Sequence, residues 1–396
     1  MNVRTDIIKP PKQDIFKSGK FRSIVIQIIV MVLVVGSIGW IVNNAATNMK
    51  ANGIAHGFSF LTETSMFDIG YLPFIEHTPA HTYFNAFVVG LLNTVLVAVL
   101  GIFFATIIGF LVGIGRLSDN WLVARFCGFY VEALRNIPLL LQLFFWYHAV
   151  LRILPRAKNS LQIGDSFYLN LKGMFLPKPI PEIGFNYVLL IGIFSIIAII
   201  VLYVWSKKRQ NLTGQQFPVF YTSLAIFIIP VLIVLYLNSF PITFEQPVLK
   251  GFNFKGGIRL IPELVALLLA LSLYTATFIA ENVRSGILAI NKGQIEAAKA
   301  VGLHQVQILR LVIIPQAMRV IIPPLTSQYL NLTKNSSLAV AIAYPDLVHV
   351  FAGTALMQTG QAVEILAITM SVYLSLSITT SLLMNWYNRA IALRDR

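Results

Sequence analysis

The stretch Glu296-Ala-Ala-Lys-Ala-Val-Gly302, followed by Val312-Ile-Ile-Pro315, is a polar island between long apolar runs. Gln294 to Ala300 suits a short helix, with Asn291 as its cap, Glu296 near the positive end of the helix dipole and Gly302 as its stop. Ala297 and Ala298 carry no long side chains, which leaves the backbone open to close approach by a second protein. The segment reads as a docking peg that does not cross a membrane. The plainer alternative is an ordinary amphipathic loop helix.

The runs on either side decide the class. Hydrophobic residues make up 57% of the 396 residues and charged ones 12%, too little polar surface to close a soluble globule of this size. An all-α polytopic membrane protein is expected. The formal net charge of +14 would suit nucleic acid. However, the positive residues flank apolar runs, as in Lys207-Lys208-Arg209, a distribution that fits anionic lipid headgroups and the setting of topology. Nucleic-acid binding is set aside. The single cysteine, Cys127, permits no intrachain disulfide and no thiol metal site.

Residues 1–22 form a basic segment expected in the cytoplasm, and the first span follows at 23–42. That run is longer than a signal-peptide core, so an uncleaved helix is favoured despite Ala45 and Ala46. The loop 43–86 holds Lys50 as its one Lys or Arg and is placed on the periplasmic side. Its His56, His77 and His81 lack the spacing of a metal cluster. The second span, Phe87 to Ile114, contains Gly109-Phe-Leu-Val-Gly113, a small-x-x-x-small pattern that permits close helix contact. The third runs from about Phe129 to Leu151.

From Arg152 to Phe185 the chain carries Pro155, Pro177, Pro179 and Pro181, too broken for a spanning helix. It also carries Arg152, Arg156, Lys158, Lys172 and Lys178, although the order of spans places it outside, against the usual charge bias. A fourth span (Asn186 to Trp205) ends at Lys207-Lys208-Arg209, a fifth (Val219 to Leu237) returns, and a sixth is expected at Ile258 to Ala280. The loop 282–314, with the Glu296 peg, then lies inside. An irregular membrane segment follows from Pro315 to about Val350, interrupted by Pro323-Pro324 and Pro345, and the last span runs from about Val363 to Trp386. Eight spans with both termini cytoplasmic result.

Three groups of polar residues sit at or within these spans. Glu132 with Arg135, and Glu281 with Arg284, are opposite charges three apart, so on a helix each pair shares a face near the interface. For Glu132 and Arg135 a structural ion pair and a role in gating are both open. Gln328, Asn331 and Lys334 recur every three residues along one helical side and are the candidates for a translocation path, unless Lys334 lies in water beyond the helix end.

The loop motif resembles that of the integral-membrane permease subunits of ATP-binding-cassette importers, which carry Glu-Ala-Ala, three residues, Gly, nine residues and Ile-x-Leu-Pro. Glu296, Ala297, Ala298, Gly302 and Pro315 match, with Val312 for Ile and Ile314 for Leu. Two further stretches resemble the polar-amino-acid branch of that family: Tyr130-Val-Glu132-Ala-Leu-Arg135-Asn-Ile-Pro138-Leu-Leu-Leu-Gln142, and Ala280-Glu281-Asn-Val-Arg284-Ser-Gly286. Lys334-Asn-Ser-Ser-Leu338 is similar to a Lys-Asp-Thr-Ser-Leu sequence of the branch, with Asn335 in place of the acid.

The resemblance implies a five-helix importer core within 87–389, extended by the first helix and by an inserted loop and hairpin at 152–257, as in long-form general L-amino-acid permeases. It implies a coupling helix seated in a groove of a separate ATPase, a second permease subunit, a periplasmic substrate-binding protein, and the bacterial inner membrane with its lipid. No Gly-x-x-x-x-Gly-Lys-Ser/Thr loop is present, so ATP and magnesium are expected in the partner ATPase; no cofactor, metal site or catalytic residue is read in this chain. Two other classes stay open: an ion-coupled secondary transporter of small polar solutes, and a non-transporting membrane scaffold subunit.

Overall fold

A computed structural model describes residues 19–391 apart from Asn52, Ile54, Ala55, Asp165 and Gln216. Most of the basic amino-terminal segment, and Arg394 and Arg396, therefore lie outside the described residues. The apolar runs form long helices, joined by shorter ones: α1 (Gly19–Ala51), α2 (Tyr83–Gly115), α3 (Trp121–Arg135), α4 (Leu139–Phe144), α5 (Phe185–Thr213), α6 (Val219–Leu237), α7 (Pro262–Leu288), α8 (Lys292–Ala300), α9 (Gln305–Ile308), α10 (Ile314–Asn335), α11 (Leu356–Thr359) and α12 (Ala362–Ile391). Seven helical segments among the described residues are long and apolar enough to cross a membrane.

The chain separates into two compact units, Met1–Asn93 with Pro345–Ile378 and Thr94–Tyr344 with Thr379–Arg396. The first has a core of Phe60, Tyr83, Leu347, Phe351, Ala355 and Ile365. Its chain entries are pinned by buried polar groups. The Asn93 amide donates to the carbonyls of Tyr71 (3.3 Å) and Pro345 (2.9 Å), and the N–H of Gly57 donates to the Glu364 carboxylate at 2.6 Å. Asp346, fully buried, caps the helical stretch after it by accepting the N–H of His349 at 2.8 Å.

The second unit carries the sites predicted from sequence, and its core joins α2, α7 and α10 through Ala105, Ile279, Val283, Ile290, Ala317, Ile321, Leu325 and Leu332. Gly109 and Gly113 place the α2 backbone directly on α7: a Cβ at Gly109 would stand 2.6 Å from Ile279 Cβ, and one at Gly113 2.7 Å from the Ala280 carbonyl. The small-residue pattern is thus a helix contact. The third span is made in two pieces, because Pro138 cannot continue α3. Tyr147 Oη, in the π-turn after α4, donates to Glu263 at the start of α7 (2.8 Å), and the α3 residue Tyr130 donates to the Leu273 carbonyl (2.7 Å). The two pieces therefore run along α7, whose 27 residues reach about 40 Å.

Two features differ from expectation. Pro323 and Pro324 do not interrupt α10, which is helical from Ile314 to Asn335 with both prolines inside and exposed. Residues 152–184 hold no spanning helix, in keeping with their prolines, and together with 238–261 they fold into eight short strands that the sequence reading does not include: β1 (Leu161–Ile163), β2 (Phe167–Asn170), β3 (Gly173–Leu176), β4 (Lys178–Pro181), β5 (Ile242–Glu245), β6 (Val248–Lys250), β7 (Asn253–Lys255) and β8 (Ile258–Leu260). The sixth span accordingly starts at Pro262, after β8, and not at Ile258.

β1, β2, β3 and β8 form one antiparallel sheet in that order, while β4 pairs with β5 and β6 with β7. Strands from both connections pair with one another, so the two connections lie on one side of the membrane and α5 and α6 cross and return between them. β4 leads into α5 and β8 leads into α7. Each helix crosses once from the same β-module, which brings Lys207-Lys208-Arg209 and α8 to the same opposite face.

Candidate functional site

The peg forms as its residue types dictate. Asn291 caps α8 by accepting the N–H of Gly293 at 2.9 Å. The helix begins at Lys292, so Glu296 stands in its second turn, beyond the strongest field of the helix end. At the other end Gly302 adopts φ +85°. Its N–H donates to the Lys299 carbonyl (2.9 Å) and that of Leu303 to the Ala298 carbonyl (3.2 Å), the paired bonds that close a helix through a left-handed residue.

Glu296 and Ala297 are exposed, whereas Ala298 is buried on the protein side. Ile295, Lys299, Val306, Leu309 and Ile313 line a cleft of about 290 Å³ beside the helix. The peg thus presents a small-residue face flanked by an apolar notch.

The peg is fixed to a lever. Gln316, in the first turn of α10, donates to the Gln294 side chain on α8. Pro315 stands in that same turn, exposed, directly after a π-turn at Leu309–Ile313, where its missing N–H interrupts the regular ladder. From there α10 packs along α7, with Ile321 filling the space beside Gly286, where a Cβ would meet it at 2.4 Å. The lever then meets α2, where Tyr329 and Thr106 share a hydrogen bond of 2.9 Å and Leu332 lies against Gly101, near the middle of α2.

That contact sets the depth of the polar row. Each step of three residues falls about 60° short of a full helical turn. Gln328 therefore sits at the edge of the packed face, and Asn331 and Lys334 lie progressively further round it, both exposed. Two residues past Leu332, Lys334 lies level with the middle of α2, exposed and one residue before the end of α10. The row and the peg are not brought together: Gln328 to Lys334 stand about 20 to 29 Å along α10 from Pro315.

Of the two charge pairs read from spacing, one forms. Glu281 accepts from Arg284 at 2.6 Å, and Arg116, from the turn after α2, binds its other oxygen. One carboxylate holds two guanidinium groups and ties the end of α2 to α7. Glu132 and Arg135 do not pair among the described residues: Arg135 lies over the Phe278 ring, 4.9 Å from its centre, and the Glu132 side chain faces elsewhere. Packing on the neighbouring helix overrides the local spacing.

The pairing of Arg116 with Glu281 is not legible in the sequence, where Arg116 reads only as a cytoplasmic flank of the second span, because nothing local links position 116 to 281. Asp346 was missed too; an Asp just after Pro345 is a cap signal that a periodicity search overlooks. The Arg116–Glu281 contact has a measurable consequence. In a double-mutant cycle combining Arg116→Met with Glu281→Gln, thermal unfolding is expected to give a coupling of about 1 kcal/mol, moderated by the partial exposure of both groups. Additive losses would remove the pair from the account.

The profile of the family described as "Binding-protein-dependent transport system inner membrane component" matches residues 212–394. The general L-amino acid transport system permease protein AapQ of Rhizobium johnstonii is 52% identical over 377 residues, covering 95% of this chain and 94% of its own. The putative amino-acid ABC transporter permease protein YhdX of Escherichia coli is 48% identical over 381 residues, covering 96% and 97%. Among solved structures, one titled as an amino acid ABC transporter with histidines is similar at a TM-score of 0.46 and 19% identity, over 78% of this chain and 95% of that one.

Proposed function

The chain belongs to the family of binding-protein-dependent transport system inner membrane components, and from that premise we propose that it is the membrane-spanning half of an ATP-driven importer of L-amino acids. Relatives named as amino-acid permeases over nearly the whole length support the substrate class. The observation that carries the mechanism is the lever: one helix, α10, is hydrogen-bonded to an exposed peg at the membrane face and bears an uncovered polar row at mid-depth.

In this reading a binding protein delivers the amino acid to the face that bears the β-module. A pair of ATPase subunits, which bind ATP with magnesium, receives α8 in a groove through Glu296, Ala297, Ala298 and the Gly302 turn. Closure of the ATPases displaces α8, and α10 and α7 carry that displacement to the polar row. Asn331 and Lys334 require cover at mid-depth, since polar groups facing hydrocarbon are costly. A second permease subunit, alike or different, supplies that cover and forms the path together with Gln328, Asn331 and Lys334.

The orientation follows from charge. Lys207-Lys208-Arg209 and α8 share a face, and a basic cluster at a span end marks the cytoplasm. Both termini are then cytoplasmic, and the β-module is periplasmic. Its five basic residues between Arg152 and Lys178 do not oppose this assignment, because they belong to a module folded from two connections and not to a short flexible loop.

The test is uptake of labelled glutamate and of a basic amino acid into vesicles that hold the chain with its partner subunits, with ATP and a protonophore varied. Uptake that requires ATP and the binding protein and survives the protonophore is expected. Uptake abolished by the protonophore while ATP persists would replace this reading with an ion-coupled carrier. Lys334→Met is expected to lower uptake about tenfold or more while the complex still assembles. Normal uptake by that variant would take Lys334 out of the path.

A further inference from the structure

A second polar feature stands outside the lever. At the α8 end of the bundle, Arg116, Arg125, Gly128, Phe129, Glu132 and Arg284 surround a cleft of about 230 Å³. We propose that this cleft binds the phosphodiester of a phospholipid headgroup at the membrane surface.

The charge balance favours one anion. Arg116 and Arg284 share the single carboxylate of Glu281, Arg125 has no ion pair among the described residues, and Glu132 stands at the same cleft. Three guanidinium groups face two carboxylates, leaving one positive charge, which a phosphodiester neutralises. The donors are also in excess. A guanidinium has five N–H donors, of which Arg116 spends one and Arg284 two on Glu281. The remaining ones suit the several oxygens of a phosphate, which arginine binds through forked, charge-assisted hydrogen bonds.

The surroundings select a lipid over a soluble anion. Trp121, Leu122, Phe126 and Phe129 on α3 are 74%, 68%, 72% and 69% exposed, so the cleft opens beside a large apolar face that acyl chains would cover. Trp121 occupies the first turn of α3, a position in keeping with tryptophan at a membrane interface. The cleft lies where α2 and α7 end and α3 begins, which is headgroup level for helices that have just crossed. Glu132 adds a preference: it repels a second anion and attracts a cationic amine, so an aminoethyl headgroup is favoured over a glycerol one.

Gly128 provides a test that spares the fold, because a Cβ built there meets nothing within 4 Å. Gly128→Leu places its side chain in the cleft with no clash at the Cβ. The transporter is purified with its partner subunits, and retained lipid is read by native mass spectrometry after delipidation and titration with phosphatidylethanolamine or phosphatidylglycerol. Arg125→Ala is expected to weaken retention about tenfold, the loss of one charge-assisted contact, and Gly128→Leu to weaken it at least about as much by occupying the cleft. Glu132→Gln is expected to shift the preference toward phosphatidylglycerol. Retention unchanged in both Gly128→Leu and Arg125→Ala, or no retained lipid in the unmodified complex, would overturn the proposal. So would melting in detergent that inorganic phosphate alone raises in the unmodified complex and not in Gly128→Leu, since the ligand would then be a soluble anion.

Discussion

Gly302→Val is expected to abolish ATP-driven uptake while the chain still inserts and assembles its spans. The residue closes α8 at φ +85°, a backbone region that a β-branched side chain enters only at a cost of about 1 to 2 kcal/mol. Space is not the obstacle, because a Cβ at this position meets nothing within 4 Å. The strain acts on the turn alone. A valine drives the turn out of the left-handed region and breaks the bonds from the N–H groups of Gly302 and Leu303 to the end of α8. The peg then leaves the chain at a different angle, and under the proposed mechanism it no longer fits the groove of the ATPase.

Small misplacements matter under the proposed mechanism, in which the motion has to be carried in full. Reversing a two-state equilibrium from 1:99 to 99:1 takes about 5.5 kcal/mol of differential binding, and a peg of nine residues supplies its share only when its geometry is held. The conformational argument fixes an order: uptake should fall in the series Gly, Asn, Ala, Val, since asparagine tolerates the left-handed region better than other side chains. Uptake by Gly302→Val at the unmodified rate, with equal protein in the membrane, would show that the loop does not couple.

Gly109→Val should instead prevent the second unit from forming. Its Cβ would stand 2.6 Å from both Cβ and Cγ2 of Ile279 and 3.1 Å from the Ala276 carbonyl. Ile279 is fully buried and sits in the core that joins α2, α7 and α10. It has nowhere to move, so α2 must withdraw from α7 and loosen every contact along that seam. Overpacking of this kind costs about 3 kcal/mol or more where backbone has to shift. The readout is the yield of monodisperse complex in detergent together with its melting temperature, and both should drop steeply. Gly192→Val, on α5, where a Cβ meets nothing within 4 Å, is the matched control and should leave both near the unmodified values. A Gly109→Val complex that melts normally would mean that α2 and α7 do not pack as described.

The two variants separate coupling from assembly, which bears on the remaining classes. A scaffold subunit would tolerate Lys334→Met and lose function with Gly109→Val, whereas an importer loses transport with each of the three substitutions. The Lys334 variant therefore carries the distinction.

What the sequence by itself determined was whatever local chemistry specifies. Apolar runs of spanning length placed the membrane helices, Asn291 and Gly302 marked the ends of the peg, and Gly109 with Gly113 marked a close contact, because caps, left-handed turns and small-residue stripes are each written within a few neighbouring residues. Opposite charges three apart located Glu281 with Arg284 for the same reason. That reasoning failed at Glu132 and Arg135, where the Phe278 ring on another helix offered Arg135 a better place.

The tertiary structure alone decided the rest. It joined the proline-rich connection at 152–185 to the one at 238–261, through strand pairings that short segments form only with partners distant in sequence. It kept α10 continuous through Pro323 and Pro324 by packing its flank, Ile321, Ile322 and Leu325, into the core. Contacts of Leu332 and Tyr329 with α2, and not the three-residue spacing, placed Lys334 level with the middle of that helix. Arg116 and Glu281 meet because α2 and α7 run side by side in the same direction, a fact of helix packing that no window of residues around either position contains.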